Sequence, residues 1–175
     1  MSKRATLLWL DLEMTGLSPV EDRIIEVAAI ATDWEFNELG QYESGVKQSA
    51  NLIKTRMTGD FWEKNAKTRD ALVAASKSGK TPAEVEAELL AFIKQHFGKV
   101  IYLAGNSIHQ DRKFIEKYWP NLDKVLHYRM LDVSAWKIYF ENAKKMYITK
   151  PENHRALNDI RGSIEELKCY LKKVS

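Results

Sequence analysis

Hydrophobic residues open the chain in two nearly continuous runs, residues 6–12 and Ile24-Ile25-Glu26-Val27-Ala28-Ala29-Ile30-Ala31-Thr32, with the turn-like Thr15-Gly16-Leu17-Ser18-Pro19 between them. Both are too short for typical helices and read as buried strands. Residues 34–48 predict a weaker third strand, so the chain begins as a meander. The pattern then changes period. Phe61 to Ser76 reads as a helix, and Thr81-Pro82-Ala83-Glu84 is a capping box with proline at the first helical position. Val85, Leu89, Phe92 and Ile93 follow on one face, and Gly98 is expected to stop that helix. Val100 to Ala104 predicts a buried strand, 108–118 a helix, Leu126 to Val133 a strand and 134–143 a helix. Leu157, Ile160, Ile164, Leu167 and Leu171 then mark a last amphipathic helix. Three early strands followed by alternating helices and strands predict an α/β layer fold with a mixed sheet.

Composition narrows the class. The 175 residues carry 27 Lys+Arg and 24 Asp+Glu, a net charge of +3, with 45% hydrophobic residues. That excludes disorder and fibrous repeats and fits one globular domain over residues 1–175. Cys169 is the single cysteine, so no internal disulfide forms, and a reducing compartment is expected. No apolar run approaches the roughly 20 residues that cross a bilayer, and Met1-Ser2-Lys3-Arg4 leads into no signal core. A cytoplasmic protein with no membrane partner is expected. Residues 1–40 hold 3 basic and 8 acidic residues, a balance of −5 that leaves +8 for the remainder. A metal site facing a polyanion would produce this imbalance, and so would ordinary solvated charge.

Asp11 and Glu13 stand two apart at the end of an apolar strand, so the strand period puts both carboxylates on one face. Such a pair is costly unless one group is protonated or a hard cation such as Mg²⁺ or Mn²⁺ lies between them. A strand tip hydrated by solvent is the other explanation. Asp111 follows the Gly105-Asn106-Ser107 turn in the first turn of a helix, where the dipole favours an acid in any case. His154 and Asp159 are five residues apart, about 140° around a continuous helix, so His154 must lie at or before the helix start to share a site with Asp159. From there an imidazole can act as general base, or serve only the cap region. Four carboxylates and a histidine in three segments suit a pair of divalent cations about 4 Å apart acting on a phosphodiester. His96, His109 and His127 are scattered, one cysteine excludes a thiolate zinc cage, and neither GxxxxGK[ST] nor GxGxxG occurs.

Three segments carry a resemblance: Leu10-Asp11-Leu12-Glu13-Met14-Thr15-Gly16-Leu17, Gly105-Asn106-Ser107-Ile108-His109-Gln110-Asp111 and His154-Arg155-Ala156-Leu157-Asn158-Asp159-Ile160. They are similar to the exonuclease motifs of the DEDDh class, and Tyr128-Arg129-Met130-Leu131-Asp132-Val133-Ser134 resembles a segment of its oligoribonuclease family. The similarity runs from about residue 6 to residue 172. It implies a ribonuclease H-like three-layer α/β fold, a mixed central sheet flanked by helices. It also implies a homodimer that takes nucleotides from the 3′ end of very short RNA, dinucleotides especially, and releases 5′-monophosphates.

By the same resemblance Asp11, Glu13, Asp111 and Asp159 would hold two divalent ions, Mg²⁺ or Mn²⁺, and His154 would activate water. Leu17 would wedge the bases beside Trp62. Ser107, Arg129 and Ser134 would cap the 5′ phosphate, and Tyr128 would reach the neighbouring subunit's site. Plainer roles exist: Leu17 and Trp62 as core, Arg129 as a surface strand residue, Tyr128 as a half-buried strand aromatic, Ser134 as a helix cap and Ser107 as a turn residue. Lys67, Met130, His109 and Gly162 stand where the family more often has His, Asn, Cys and Glu. A lysine cannot stack as an imidazole does, which bears on dinucleotide preference. The alternative functions are a general exonuclease of this class acting on longer DNA or RNA, and a non-catalytic RNA-binding module on the same fold.

Overall fold

The computed structural model describes residues 4–148 and 155–174. Five strands form one mixed sheet in the order β3-β2-β1-β4-β5. Strand β1 (Ala5–Met14) pairs antiparallel with β2 (Ile24–Thr32), which pairs antiparallel with β3 (Glu38–Gly45). On its other side β1 runs parallel to β4 (Phe97–Gly105), and β4 runs parallel to β5 (Met130–Asp132). The central position of β1 explains the hydrophobic run Leu7-Leu8-Trp9-Leu10, since both of its faces are covered there.

The strand period sorts β1 into two cores. Leu8, Leu10 and Leu12 pack against Val85, Leu89 and Phe92 of α4 (Pro82–His96) and Phe114 and Ile115 of α5 (His109–Tyr118). Leu7 and Trp9 face the opposite layer, where α7 (Val133–Ala143) contributes Phe140 and α8 (Ala156–Leu171) contributes Ile160, Ile164, Leu167 and Tyr170. Asp11 and Glu13 continue the Leu7 and Trp9 face, so they emerge beneath the first turn of α8. Three short helices, α1 (Ala50–Arg56), α2 (Asp60–Lys64) and α3 (Ala66–Ser78), close one end over a smaller cluster of Ile25, Ile53, Met57, Trp62 and Leu72.

Several boundaries differ from the sequence expectation. The third strand spans Glu38–Gly45, not 34–48, because Asp33 accepts the backbone N–H groups of Glu35 and Asn37 and folds those residues into a turn. The helix expected over 61–76 breaks at Asn65 into α2 and α3. Gly98 does not stop α4, which ends at His96; Phe97 already pairs with Ala5, placing Gly98 inside β4. Val100 is 43% exposed, and Gly98 and Lys99 are exposed too, so after Phe97 the burial of β4 resumes only at Ile101. The strand expected over Leu126–Val133 shrinks to Met130–Asp132, and α6 (Pro120–Val125) lies before it. The capping box is present as read: Thr81 Oγ1 accepts the Glu84 N–H at 3.3 Å, and the Glu84 carboxylate accepts the Thr81 N–H at 2.8 Å. Among the described residues no helix is long and apolar enough to cross a membrane.

Candidate active site

Carboxylate oxygens of Asp11, Glu13 and Asp159 lie within 4.8 Å of one another. Strand β1 supplies the first two and the first turn of α8 the third. Asp111 comes from the opposite layer, in the first turn of α5, and its Oδ1 accepts the Leu12 N–H at 2.9 Å. Topology therefore brings together four acids from segments roughly 100 and 50 residues apart at the end of the central strand. His154 lies outside the described residues.

Electrostatics in this cluster are unfavourable to charge. Burial, then the charges of Asp111, Glu13, Asp159 and Glu26, push the Asp11 carboxyl well above its ordinary pKa. Burial first, then Asp159, Glu26 and Asp111, raise Glu13 to about 8, with Arg155 opposing. Asp111 rises to about 7 through burial, against the lowering effect of the backbone N–H groups it accepts. Groups crowded this way shed repulsion either by keeping protons or by taking up a cation. The donor set consists of hard oxygens, which fits Mg²⁺ or Mn²⁺ and not a soft-ligand metal.

Glu26 was visible in the sequence as the one charge within the second apolar run, but its role needed the sheet. It sits directly opposite Glu13 in the β1–β2 register and is 1% exposed. Arg155 forks onto it, Nε to Oε1 and Nη2 to Oε2, each at 3.1 Å. This neutralises a fifth acid at the wall of the cluster and fixes the chain at the start of α8.

Glu13 also lines a cavity of about 690 Å³ walled by Leu17, Phe61, Trp62, Thr58 and Arg56. Leu17 is 75% exposed, so it is not core. Trp62 is buried with Ile53, Met57 and Leu72, and the adjacent exposed aromatic is Phe61, whose ring meets that of Trp62 edge-on at 5.0 Å. Phe61 has no signal of its own beyond preceding Trp62. The Leu17 loop is braced from three sides. Gln110 Nε2 donates to the Leu17 carbonyl at 2.6 Å. Asp22, almost fully buried, accepts from the Thr15 hydroxyl, the Ser18 N–H and Arg56 Nε. Gly16 is required beside it, since a Cβ there would stand 2.6 Å from Asp22 Oδ2. Lys67 is exposed in the first turn of α3.

A second polar group forms where β4 meets α5. Ser107 adopts the left-handed region, φ 50°, and donates its N–H to Ser134 Oγ at 2.8 Å and to Asp132 Oδ1 at 3.0 Å. The two serine hydroxyl oxygens are 3.1 Å apart. Asp132, not Ser134, caps α7, accepting the Ser134 N–H at 2.9 Å. His109 Nδ1 lies 3.6 Å from the other Asp132 oxygen. Tyr128 is no half-buried strand residue: it precedes β5, is 72% exposed and stacks on His127 at 4.5 Å. The Arg129 guanidinium lies 5.2 Å over the Tyr128 ring. Ser107 and Ser134 are thus brought together, while Arg129 and Tyr128 form a neighbouring exposed pair.

Residues 8–167 match the family model described as Exonuclease. Oligoribonuclease of Neisseria meningitidis serogroup B is 42% identical over 178 residues, covering 97% of this chain and 92% of that one. Oligoribonuclease of Chromobacterium violaceum is 41% identical over 170 residues, covering 94% and 92%. Among solved structures, the zinc-bound Escherichia coli exonuclease I complex with single-stranded DNA superposes with TM-score 0.66 at 17% identity, over 98% of this chain and 41% of that one. At that identity the likeness concerns the fold alone, and the expected ribonuclease H-like three-layer arrangement is present. This chain spans about two fifths of exonuclease I's length.

Proposed function

Because the chain belongs to the exonuclease family and groups with its oligoribonucleases, we propose that it is a metal-dependent 3′→5′ exoribonuclease that degrades short RNA, dinucleotides especially, to 5′-mononucleotides. The convergence of Asp11, Glu13 and Asp159 beside Asp111, with Glu13 also lining the Leu17 cavity, carries this reading. Asp11, Glu13, Asp111 and Asp159 would hold two divalent ions, Mg²⁺ or Mn²⁺. When bound, these supply the positive charge that stabilises the attacking and leaving oxygens of a phosphodiester. His154, two residues before the start of α8 in the sequence, would take the proton of the attacking water as a neutral imidazole.

Leu17 and Phe61 cover the terminal bases, with Trp62 supporting them from below. Ser107, Ser134 and Arg129 bind the 5′ phosphate of a substrate short enough to place it there. The protein acts as one exonuclease domain over residues 1–175 and as a homodimer, in which Tyr128 reaches the partner's site. Tyr128, Ile138, Tyr139 and Tyr147 are exposed and offer apolar surface that a partner copy would cover. Cys169 is a free thiol, consistent with a cytoplasmic setting.

Turnover of labelled RNA from the dinucleotide to about twenty nucleotides, with Mn²⁺, Mg²⁺ or chelator, tests the reading. Metal-dependent release of 5′-monophosphates, fastest on the dinucleotide, is expected. Turnover that ignores length would overturn the cap and leave a general exonuclease. Oligonucleotide binding without turnover in any metal would overturn the enzyme.

A further inference from the structure

One buried carboxylate has no part in the reaction as described. Glu166 is 1% exposed on α8, seven residues beyond Asp159 and so close to the same helix face. A carboxylate in that position must be hydrogen-bonded to be tolerated. Its Oε1 accepts the Tyr170 hydroxyl at 3.0 Å, and its Oε2 accepts Asn106 Nδ2 at 3.0 Å. The same Asn106 nitrogen donates to Ser163 Oγ at 2.8 Å, and the Ser163 hydroxyl donates to the Asp159 carbonyl at 2.9 Å. At the other end of the amide, Asn106 Oδ1 accepts the Ser134 hydroxyl at 3.2 Å.

These bonds have a direction. A carboxylate only accepts, so Glu166 holds the nitrogen of the Asn106 amide toward α8 and turns its oxygen toward Ser134. That oxygen takes the Ser134 hydroxyl hydrogen, leaving Ser134 Oγ to accept the Ser107 N–H. Ser107, held in the left-handed region, keeps a hydroxyl whose hydrogen can turn either to Ser134 or outward to an anion. The serine pair is therefore both oriented and tethered from the helix that carries Asp159.

We propose that Asn106 and Glu166 are positioning residues that set the spacing and hydroxyl polarity of the 5′-phosphate cap relative to Asp159, and thereby the preference for the shortest substrates. This rests on the reading of Ser107 and Ser134 as that cap. Glu166→Gln presents one acceptor and one donor where two acceptors stood, so the Asn106 amide loses its enforced orientation. Asn106→Ala removes the link altogether. Tyr170→Phe is the control, since it removes a hydrogen bond from Glu166 without touching Asn106.

The measurement is kcat/KM, with kcat and KM resolved, for 5′-phosphorylated and 5′-hydroxyl dinucleotides and for a pentanucleotide at saturating Mn²⁺, with the Tm of every variant. Ser134→Ala, Asn106→Ala and Glu166→Gln are expected to lose about tenfold of the preference for the 5′-phosphorylated dinucleotide over both other substrates, and Tyr170→Phe to retain it. If Ser134→Ala keeps the preference, the cap reading itself fails. If Ser134→Ala loses it while Asn106→Ala and Glu166→Gln keep it, the positioning role is overturned. An equal loss in Tyr170→Phe would overturn it too, by showing a packing defect in α8. Should Glu166→Gln not fold, Asn106→Ala against Tyr170→Phe decides the question alone.

Discussion

At the scale of single residues, Asp11, Glu13 and Asp111 are held where ionisation is opposed by burial and by one another. Their folded pKa values exceed the unfolded ones, so between about pH 4 and 8 the folded protein binds more protons than the unfolded chain. Stability of the metal-free protein should therefore fall as pH rises toward the values of about 7 for Asp111 and about 8 for Glu13, by several kcal/mol in all. Calorimetric Tm from about pH 5 to about pH 9 in chelator should show this slope, and Mn²⁺ should flatten it by replacing the protons with cationic charge. Asp11→Asn removes one of the crowded charges. It should raise Tm in chelator at alkaline pH while reducing turnover by about three orders of magnitude or more. Full turnover in a folded Asp11→Asn variant would remove Asp11 from the metal site.

The elements around the cavity work as a frame. Asp22 ties the loop bearing Leu17 to α1 through Arg56 and to itself through Thr15 and Ser18. Burial acts to raise the Asp22 pKa, but the Arg56, Ser18 and Thr15 hydrogen bonds outweigh it and hold the carboxyl below its ordinary value. That contribution is present above about pH 4 and lost as pH falls through the folded value. Asp22→Ala strands these donors and should cost about 3 kcal/mol, a Tm decrease on the order of 10 °C. It should also raise KM for dinucleotides, because the wedge is no longer fixed; an unchanged KM would show that the Leu17 loop is braced adequately by Gln110 alone. Element boundaries were legible where the signal was local. The capping box fixed the start of α4, and the spacing of Ile160, Ile164 and Leu167 fixed α8. The end of α4 was not legible, because pairing of Phe97 with Ala5 ends it, and that partner lies far away in the sequence.

Across the whole molecule, the layer order decides what each motif can do. Strand β1 is central, so its end is reached from α5 on one side and from α8 on the other. Tyr128, Ile138 and Tyr139 are exposed and do not line the Leu17 cavity; in the proposed homodimer they would face the partner. Ile138→Glu should convert a dimer to a monomer by light scattering and lower turnover with it, since Tyr128 then has no partner site to enter. A monomeric wild type with full activity would remove the partner's contribution.

By itself the sequence determined the local matters: two buried strands, a capped helix, a final amphipathic helix and the four acids at motif spacing. Hydrophobic period and cap chemistry act over a few residues, so one dimension suffices to read them. Only the tertiary structure decided that Arg155 neutralises Glu26, that Asp132 rather than Ser134 caps α7, and that Glu166 reaches Ser134 through Asn106. Each of these choices depends on which strands are neighbours, and a buried polar group takes its partner from whatever the sheet order places within hydrogen-bond distance.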